Sequence, residues 1–291
     1  MSFSELASPS ATQAVLAAYG LGTKKRFGQH FLVDDNVVGR ILSLASLSGD
    51  EVVLEVGAGI GTLTVALCKH AGAVVAVERD ADLLPVLEET TTACPRLALI
   101  HADALEVVGG AFADRFGPPE ALVSNLPYSV AATVILHLFQ TLPDLATAVV
   151  MVQSEVADRI AAVPGGKDYG AYTVKLRLLA ETVARFQVPR TCFLPPPRVD
   201  SAVVRLERRP MSDDPLRLSL AVAAANAAFA HRRKTIRNSL KTALGAELAV
   251  LEKALNEAGV DGDVRAEALP PASFLELGQS LNSAHLLRFR R

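Results

Sequence analysis

From residue 51 onward the chain alternates short, unbroken apolar runs with segments of helical period. No other feature limits the possible folds as tightly. Val52–Val56, Ala73–Glu78, Leu97–His101, Ala121–Ser124 and Thr147–Val152 read as strands. Thr62–His70, Ala81–Thr91, Val130–Gln140 and Ser154–Val163 read as the helices between and after them. The strands are apolar at successive positions, not only at alternate ones. That is the pattern of a parallel sheet covered by helices on both faces. The expected class is α/β, with a Rossmann-like domain at its centre.

The flanks are read with less regular signals. Residues 1–22 form an arm with a short helix around Ala11–Ala18. Asp34 and Asp35 can cap a helix whose apolar face carries Val37, Val38, Ile41 and Leu42. After Pro164-Gly165-Gly166 a helix is expected over Tyr172–Glu181. Two strands, Ala184–Val188 and Ser201–Leu206, then flank Phe193-Leu194-Pro195-Pro196-Pro197. The polar, proline-bounded stretch Pro210–Pro215 marks a boundary. This gives an arm over 1–22, an α/β domain over 23–210 and a small all-helical domain over 211–291.

Half of the residues are hydrophobic and 21% are charged, so a large core is expected and disorder is not. The net charge is only -2. A nucleic-acid surface, if present, must therefore be local. Cys68, Cys94 and Cys192 are far apart and lack the spacing of a metal site, which points to a reducing compartment and no structural metal. No apolar run approaches membrane-spanning length, and the N-terminus lacks the features of a secretory signal. A cytoplasmic protein is expected.

Open α/β sheets bind ligands at the carboxyl ends of their strands. Four features sit at such ends. Glu55-Val56-Gly57-Ala58-Gly59-Ile60-Gly61 follows the first strand and opens a helix. Its glycines allow close backbone approach to a ligand. The spacing is G-x-G-x-G, not the dinucleotide G-x-G-x-x-G. Glu78 ends the second strand, where a carboxylate can accept both hydroxyls of a ribose. Asp103 follows the third strand and can reach a purine edge or cap a helix. Asn125-Leu126-Pro127-Tyr128 follows the fourth strand. An amide oxygen and the Leu126 carbonyl can accept from an exocyclic amine, and Tyr128 offers a stacking face. An ordinary strand-to-helix turn uses the same residue types.

Taken together, these features resemble the class I S-adenosylmethionine-dependent methyltransferases, with Asn125–Tyr128 similar to the [N/D]-P-P-[Y/F/W] block of amino-group methylases. Gly28-Gln29-His30-Phe31-Leu32 and Phe193-Leu194-Pro195-Pro196-Pro197-Arg198-Val199-Asp200-Ser201 narrow the likeness. With them the chain resembles the ribosomal RNA adenine N6,N6-dimethyltransferase family, and within it the small-subunit (16S) type, from about residue 24 to the C-terminus.

That resemblance implies S-adenosylmethionine as cofactor, and two adjacent adenosines near the 3′ end of small-subunit rRNA, within a ribosomal particle, as target. It implies His30, Leu32, Gly57, Gly59, Glu78, Asp103 and Asn125 at the cofactor. It also implies Asn125, Leu126, Pro127, Tyr128 and Phe193 at the target base, with Phe193 as a second stacking wall. His30 departs from the asparagine common in the family, and sequence leaves open whether it donates or accepts. The alternatives are a large-subunit rRNA adenine methyltransferase of the antibiotic-resistance type, a non-catalytic assembly factor on the same fold, and an NAD-dependent oxidoreductase. The intact Asn125–Tyr128 block argues against the second, and the glycine spacing against the third.

The remaining signal is His231–Lys241, with five Lys or Arg in eleven residues and no acid between Asp214 and Glu247. Arg233, Arg237 and Lys241 recur every fourth residue, the spacing of one helical face. RNA phosphate contact is expected there, with Lys24-Lys25-Arg26 as a second basic site.

Overall fold

The computed structural model describes residues 2–22, 29–106 and 115–287. Lys24-Lys25-Arg26 and the first residue of the Gly28–Leu32 block lie outside the described residues. The chain forms two compact units, Met1–Ala157 with Thr182–Arg208, and Asp158–Glu181 with Arg209–Arg291.

The first unit is built on a seven-stranded sheet. Its strands are β2 (Val52–Val56), β3 (Ala73–Glu78), β4 (Leu97–His101), β5 (Ala121–Asn125), β6 (Thr147–Gln153), β7 (Ala180–Val188) and β9 (Ser201–Arg208), in the order β4-β3-β2-β5-β6-β9-β7. Strands β4, β3, β2, β5 and β6 run parallel, and β9 pairs antiparallel with β6. Every residue of β2 and β3 is buried, which explains their unbroken apolar sequence. Strand order reverses between β2 and β5. A ligand cleft is expected at such a switch point.

Helices α2 (Asp35–Ala45) and α3 (Thr62–Cys68) pack on the sheet in a core that includes Val38, Ile41, Leu67, Val74, Met151 and Val203. The Asp34 carboxylate caps α2, accepting from the Asn36 and Val37 N–H groups at 2.9 and 3.2 Å. The same unit holds α4 (Leu84–Thr90), α5 (Ala131–Thr141) and a two-stranded pairing that carries no periodic signal. In it, β1 (Phe31–Leu32) runs antiparallel to β8 (Phe193–Leu194), with Phe31 opposite Leu194 and Leu32 opposite Phe193.

The arm is more ordered than its sequence announces. Helix α1 (Pro9–Ala18) begins at a Ser8 cap and buries Thr12 and Leu16. The Asp35 carboxylate accepts from the Phe3 and Ser4 N–H groups at 3.1 and 2.8 Å. Leu16, Val15, Tyr19 and Leu21 cluster with Phe31, Ile60, Leu83 and Val86.

Helix α6 (Ser154–Ala161) and strand β7 cross between the units. The second unit contains α7 (Ala171–Arg177), α8 (Pro215–Phe229), α9 (Ile236–Leu244), α10 (Leu248–Glu257) and α11 (Ser273–Ser283). Its core is made of small residues on α8 (Ala221, Ala224, Ala225, Ala228) and of Tyr169, Phe229 and Phe274. Gly278 of α11 lets that helix meet α8 backbone to backbone. A Cβ there would lie 2.6 Å from the Leu220 carbonyl carbon.

Residues 158–181 pack with these helices, whereas the sequence reading drew a single boundary at 210/211. The expected helix over Tyr172–Glu181 is also corrected. It ends at Arg177, and Ala180 and Glu181 already belong to β7. The apolar run Leu178-Leu179-Ala180 has no period of its own to mark that switch. Among the described residues no helix is long and apolar enough to cross a membrane.

Candidate active site

The carboxyl ends of β2, β3 and β5 open on one cleft in the first unit. Its space, the solvent-facing mouth included, is about 1140 Å³. His30, Leu32, Gly57, Gly59, Glu78, Asp103, Asn125, Leu126, Pro127 and Tyr128 all line it.

The glycine loop is fixed by backbone bonds. Gly57 N–H donates to the Val77 carbonyl at 2.8 Å, with φ at +77°, a region that disfavours side chains. A Cβ on Gly57 would also lie 3.1 Å from the ring of Pro127. The glycine loop and the Asn125–Tyr128 block are thus in direct contact, and each sets the position of the other. Gly59 N–H points to Glu78 Oε2 at 2.8 Å.

Glu78 is buried. Its Oε1 accepts from the Arg79 and Asp80 N–H groups at 2.9 and 2.8 Å. A carboxylate has about four acceptor sites. Three are filled, and the fourth, on Oε2, is left for a hydroxyl. Burial raises the Glu78 pKa, opposed by the Asp80, Gly59 and Arg79 N–H groups. Asp103 Oδ1 accepts from Leu105 N–H at 3.0 Å, and Oδ2 pairs with Arg79 at 3.0 Å.

One cleft residue went unassigned in the sequence. Glu55 is 1% exposed on β2, and its Oε2 has no hydrogen-bond partner. Burial pushes its carboxyl up to about 8, helped by the nearby charge of Glu78 and opposed by the Thr64 hydroxyl. The signal was an acid inside an otherwise apolar strand. Thr62, also on the cleft, has a buried hydroxyl without a partner. Buried carboxyls of this kind favour a cationic ligand, which would restore the charged form of Glu55.

The opposite wall is assembled from distant parts of the chain. Asn125 Nδ2 donates to the His30 carbonyl at 3.2 Å. Its Oδ1 therefore faces away as an acceptor. No described residue donates to the Leu126 carbonyl, and Leu126 itself is held by its N–H to Met151 at 3.2 Å. The Tyr128 ring stacks on the His30 imidazole, centroids 5.5 Å apart at 26°. The Tyr128 and Ser201 hydroxyls share a 2.6 Å hydrogen bond. His30 Nδ1 lies 2.7 Å from the Pro195 carbonyl. A carbonyl only accepts, so Nδ1 carries the proton and donates, which answers the question the sequence left open.

Phe193 does not share in this wall. It is 2% exposed and belongs to the core with Leu32, Val188 and Cys192. Its β8 pairing opposite Leu32 turns it inward, and the ring that meets Tyr128 is His30.

In the second unit the structure divides the basic trio. Helix α9 starts at Ile236, because Thr235 at its N-cap is extended with ψ at 156°. Arg233 thus lies in the preceding turn and not on a shared helical face. Arg237 is engaged internally, with Asp263 at 2.5 Å and Glu252 at 3.4 Å. The exposed basic surface is formed by Arg233, Lys234 and Lys241, around a shallow depression with Thr235, Asn238 and Thr242.

The fold and the cleft at its switch point define a Rossmann-like methyltransferase. The particular family follows from comparison with known proteins. Residues 20–283 match the family model described as ribosomal RNA adenine dimethylase, and the chain belongs to that family. It is 43% identical over 270 residues to the ribosomal RNA small subunit methyltransferase A of Magnetococcus marinus, covering 91% of this chain and 94% of that one. Against the protein of the same name from Geobacillus thermodenitrificans it is 40% identical, covering 95% and 97%. Among solved structures it is similar to a dimethyladenosine transferase from Plasmodium falciparum, with a TM-score of 0.71 at 22% identity over 88% of this chain and 98% of that one. The 23S rRNA methyltransferase ErmE superposes with a TM-score of 0.63 at 31% identity, covering 87% and 99%.

Proposed function

We propose that this protein dimethylates the N6 amines of two adjacent adenosines near the 3′ end of small-subunit ribosomal RNA, within a ribosomal particle in the cytoplasm, using S-adenosylmethionine. The observation that carries the reading is the orientation of Asn125. With its amide nitrogen committed to the His30 carbonyl, its oxygen and the Leu126 carbonyl form a pair of acceptors beside the Tyr128 ring. Pro127 adds no donor to this pair, having no N–H.

The cleft fits the cofactor. Glu78 has one acceptor site for a ribose hydroxyl, Asp103 sits where a purine edge is read, and Glu55 and Thr62 hold unpartnered polar atoms toward a charged group. His30, Leu32, Gly57 and Gly59 also line it. When bound, S-adenosylmethionine supplies a methyl group on a sulfonium, already electrophilic.

The residues opposite then act on the base. An adenine must leave its stack to enter such a pocket, and Tyr128 gives it a face, backed by His30. Asn125 Oδ1 and the Leu126 carbonyl accept the two N6 hydrogens and hold the nitrogen in place. Positive charge that develops on N6 is stabilised by these fixed dipoles, an electrostatic role and not a strong base. Transfer leaves N6 positively charged, and release of one proton to solvent returns a neutral amine with a single N–H, for which one of the two acceptors suffices. The pocket can therefore take the same nitrogen twice. Arg233 and Lys241 are the proposed phosphate contacts in the helical unit, without Arg237.

The small-subunit reading is favoured over the large-subunit one by relatives near 40% identity that span nearly the whole chain. The test is methylation of unmodified ribosomal subunits with labelled cofactor, followed by mapping of modified bases. Two adjacent dimethyladenosines in small-subunit RNA are expected. Label confined to large-subunit RNA would favour the rival, and no label would defeat both.

A further inference from the structure

The first unit carries a cationic surface of its own, apart from the cleft. Pro195–Asp200 forms a loop fixed at both ends to the target wall. Its first carbonyl accepts from His30 Nδ1 at 2.7 Å, and Ser201, just beyond it, bonds Tyr128. Three successive prolines stiffen the loop. Asp200 ties it to its neighbours. The Asp200 carboxylate accepts from Arg190 N–H at 2.9 Å, and its carbonyl accepts from Ser154 N–H at 3.0 Å. Arg190 and Arg198 are thus mounted on two loops joined at one residue, around a shallow depression shared with Ser154 and Gln187.

Both arginines are exposed, and neither makes an ion pair among the described residues. Several other arginines are spoken for. Arg205 pairs with Glu207, Arg209 with Glu181, and Arg237 with Asp263. Beside them Val199 is 45% exposed, an apolar surface that a sugar or base can cover. Arg198 is three residues from Ser201, so its backbone lies within about 11 Å of the Tyr128 anchor, at the limit of extended chain.

We propose that Arg190 and Arg198 clamp the RNA backbone next to the extruded adenosine, a phosphate site within the catalytic unit itself. This rests on the RNA methyltransferase reading above. A base drawn out of its stack swings its flanking phosphates with it. Two cations on loops tied together beside the pocket can hold those phosphates without reading sequence. The hydroxyl of Ser154 and the amide of Gln187, bonded to each other at 3.1 Å, add neutral polar groups to the same surface.

The experiment compares the wild type with the double variants R190Q/R198Q and R190K/R198K on unmethylated small ribosomal subunits. Loss of two phosphate contacts removes about 1.4–1.8 from the slope of log K against log salt. Between 50 and 200 mM salt the wild type should therefore lose roughly seven- to twelvefold more affinity than the glutamine variant. KM for subunits at 50 mM should rise about tenfold in that variant, kcat should change less than threefold, and cofactor affinity should be unchanged. The lysine variant should restore the slope. An unchanged slope and KM in the glutamine variant would overturn the clamp, as would equal losses in both variants. A wild type that methylates no RNA would instead overturn the functional reading on which the clamp rests.

Discussion

The two walls of the cleft are built in opposite ways. On the glycine-loop side, Glu55, Gly57, Glu78 and Asp103 come from one stretch of 49 residues. Gly57 and Glu78 are held by backbone N–H and C=O groups of the same stretch, and Asp103 by the Leu105 N–H and the Arg79 side chain. On the target side, His30, Asn125, Tyr128, Pro195 and Ser201 meet across sequence separations of 73, 95 and 165 residues, through side chains. The first wall needs only a correct βα turn. The second exists only when β1, β5, β8 and β9 are all in register. A cofactor pocket can therefore survive damage that removes the base pocket.

The largest separation is expected at Asn125. Asn125→Ala removes an oriented acceptor, and its loss should lower the single-turnover methyl-transfer rate by roughly 10²–10³, the scale of one preorganised polar contact. Cofactor affinity should fall far less than the rate, since the glycine-loop wall is untouched and only the contact implied for Asn125 is lost. If calorimetry shows cofactor binding falling in parallel with rate, the walls are not independent.

Glu78→Ala probes the other wall. It deletes the acceptor for a ribose hydroxyl and strands the Gly59, Arg79 and Asp80 N–H groups. Hydrogen bonds to a charged group are each worth about 1.5–3 kcal/mol, so cofactor affinity should fall by roughly ten- to a hundredfold. The rate at saturating cofactor should hold. An unchanged dissociation constant in a folded variant would remove Glu78 from the site.

Sequence reading succeeded where structure is local. Strands β2, β3 and β4 have the bounds that their apolar runs suggested; burial on both faces writes itself into consecutive residues of β2 and β3, while β4, at the sheet edge, is only partly buried. The Asp34 cap was legible for the same reason, its partners lying two and three residues away. The β1–β8 pairing was not, since two-residue strands have no period. It was this pairing that turned Phe193 into the core. Arg233 and Arg237 were drawn onto one helical face because charge spacing says nothing of where a helix starts. The extended Thr235 decided that, and Asp263 and Glu252, outside the basic run, decided the fate of Arg237.

Glu55 offers a smaller and pH-dependent test of the glycine-loop wall. Its pKa is raised from 4.5 to about 8 in the folded state. The folded protein thus keeps a proton that the unfolded chain has released, so stability falls as pH rises from about 4.5 to about 8. The contribution between pH 6 and 8 is at most about 2 kcal/mol, at 1.36 kcal/mol per unit. Glu55→Gln, neutral throughout, should flatten that fall in denaturant titrations at pH 6, 7 and 8. A cationic ligand in the cleft should narrow the same difference in the wild type, by favouring the charged carboxylate. Identical pH profiles for the variant and the wild type would mean that Glu55 is ionised and solvated in the empty cleft.

The smallest effect should come from the target wall's outermost link. Tyr128→Phe keeps the ring on His30 but removes the hydroxyl that bonds Ser201 at 2.6 Å. Ser201 is fully buried, so its own hydroxyl would lose that partner. One neutral hydrogen bond contributes about 0.5–1.5 kcal/mol, and the rate should drop by roughly three- to tenfold. Ring and hydroxyl can be told apart by the deeper loss expected in Tyr128→Ala, which removes the stacking face as well, worth about 1–3 kcal/mol per base. The position of Ser201 makes the comparison sharper. Ser201→Ala should reproduce Tyr128→Phe, and the double variant should be no worse than either, because both remove one shared bond. Additive losses would show that the hydroxyls act separately. The target wall would then be held by its backbone pairings, as the glycine-loop wall is, and the contrast between the two would fail at this point.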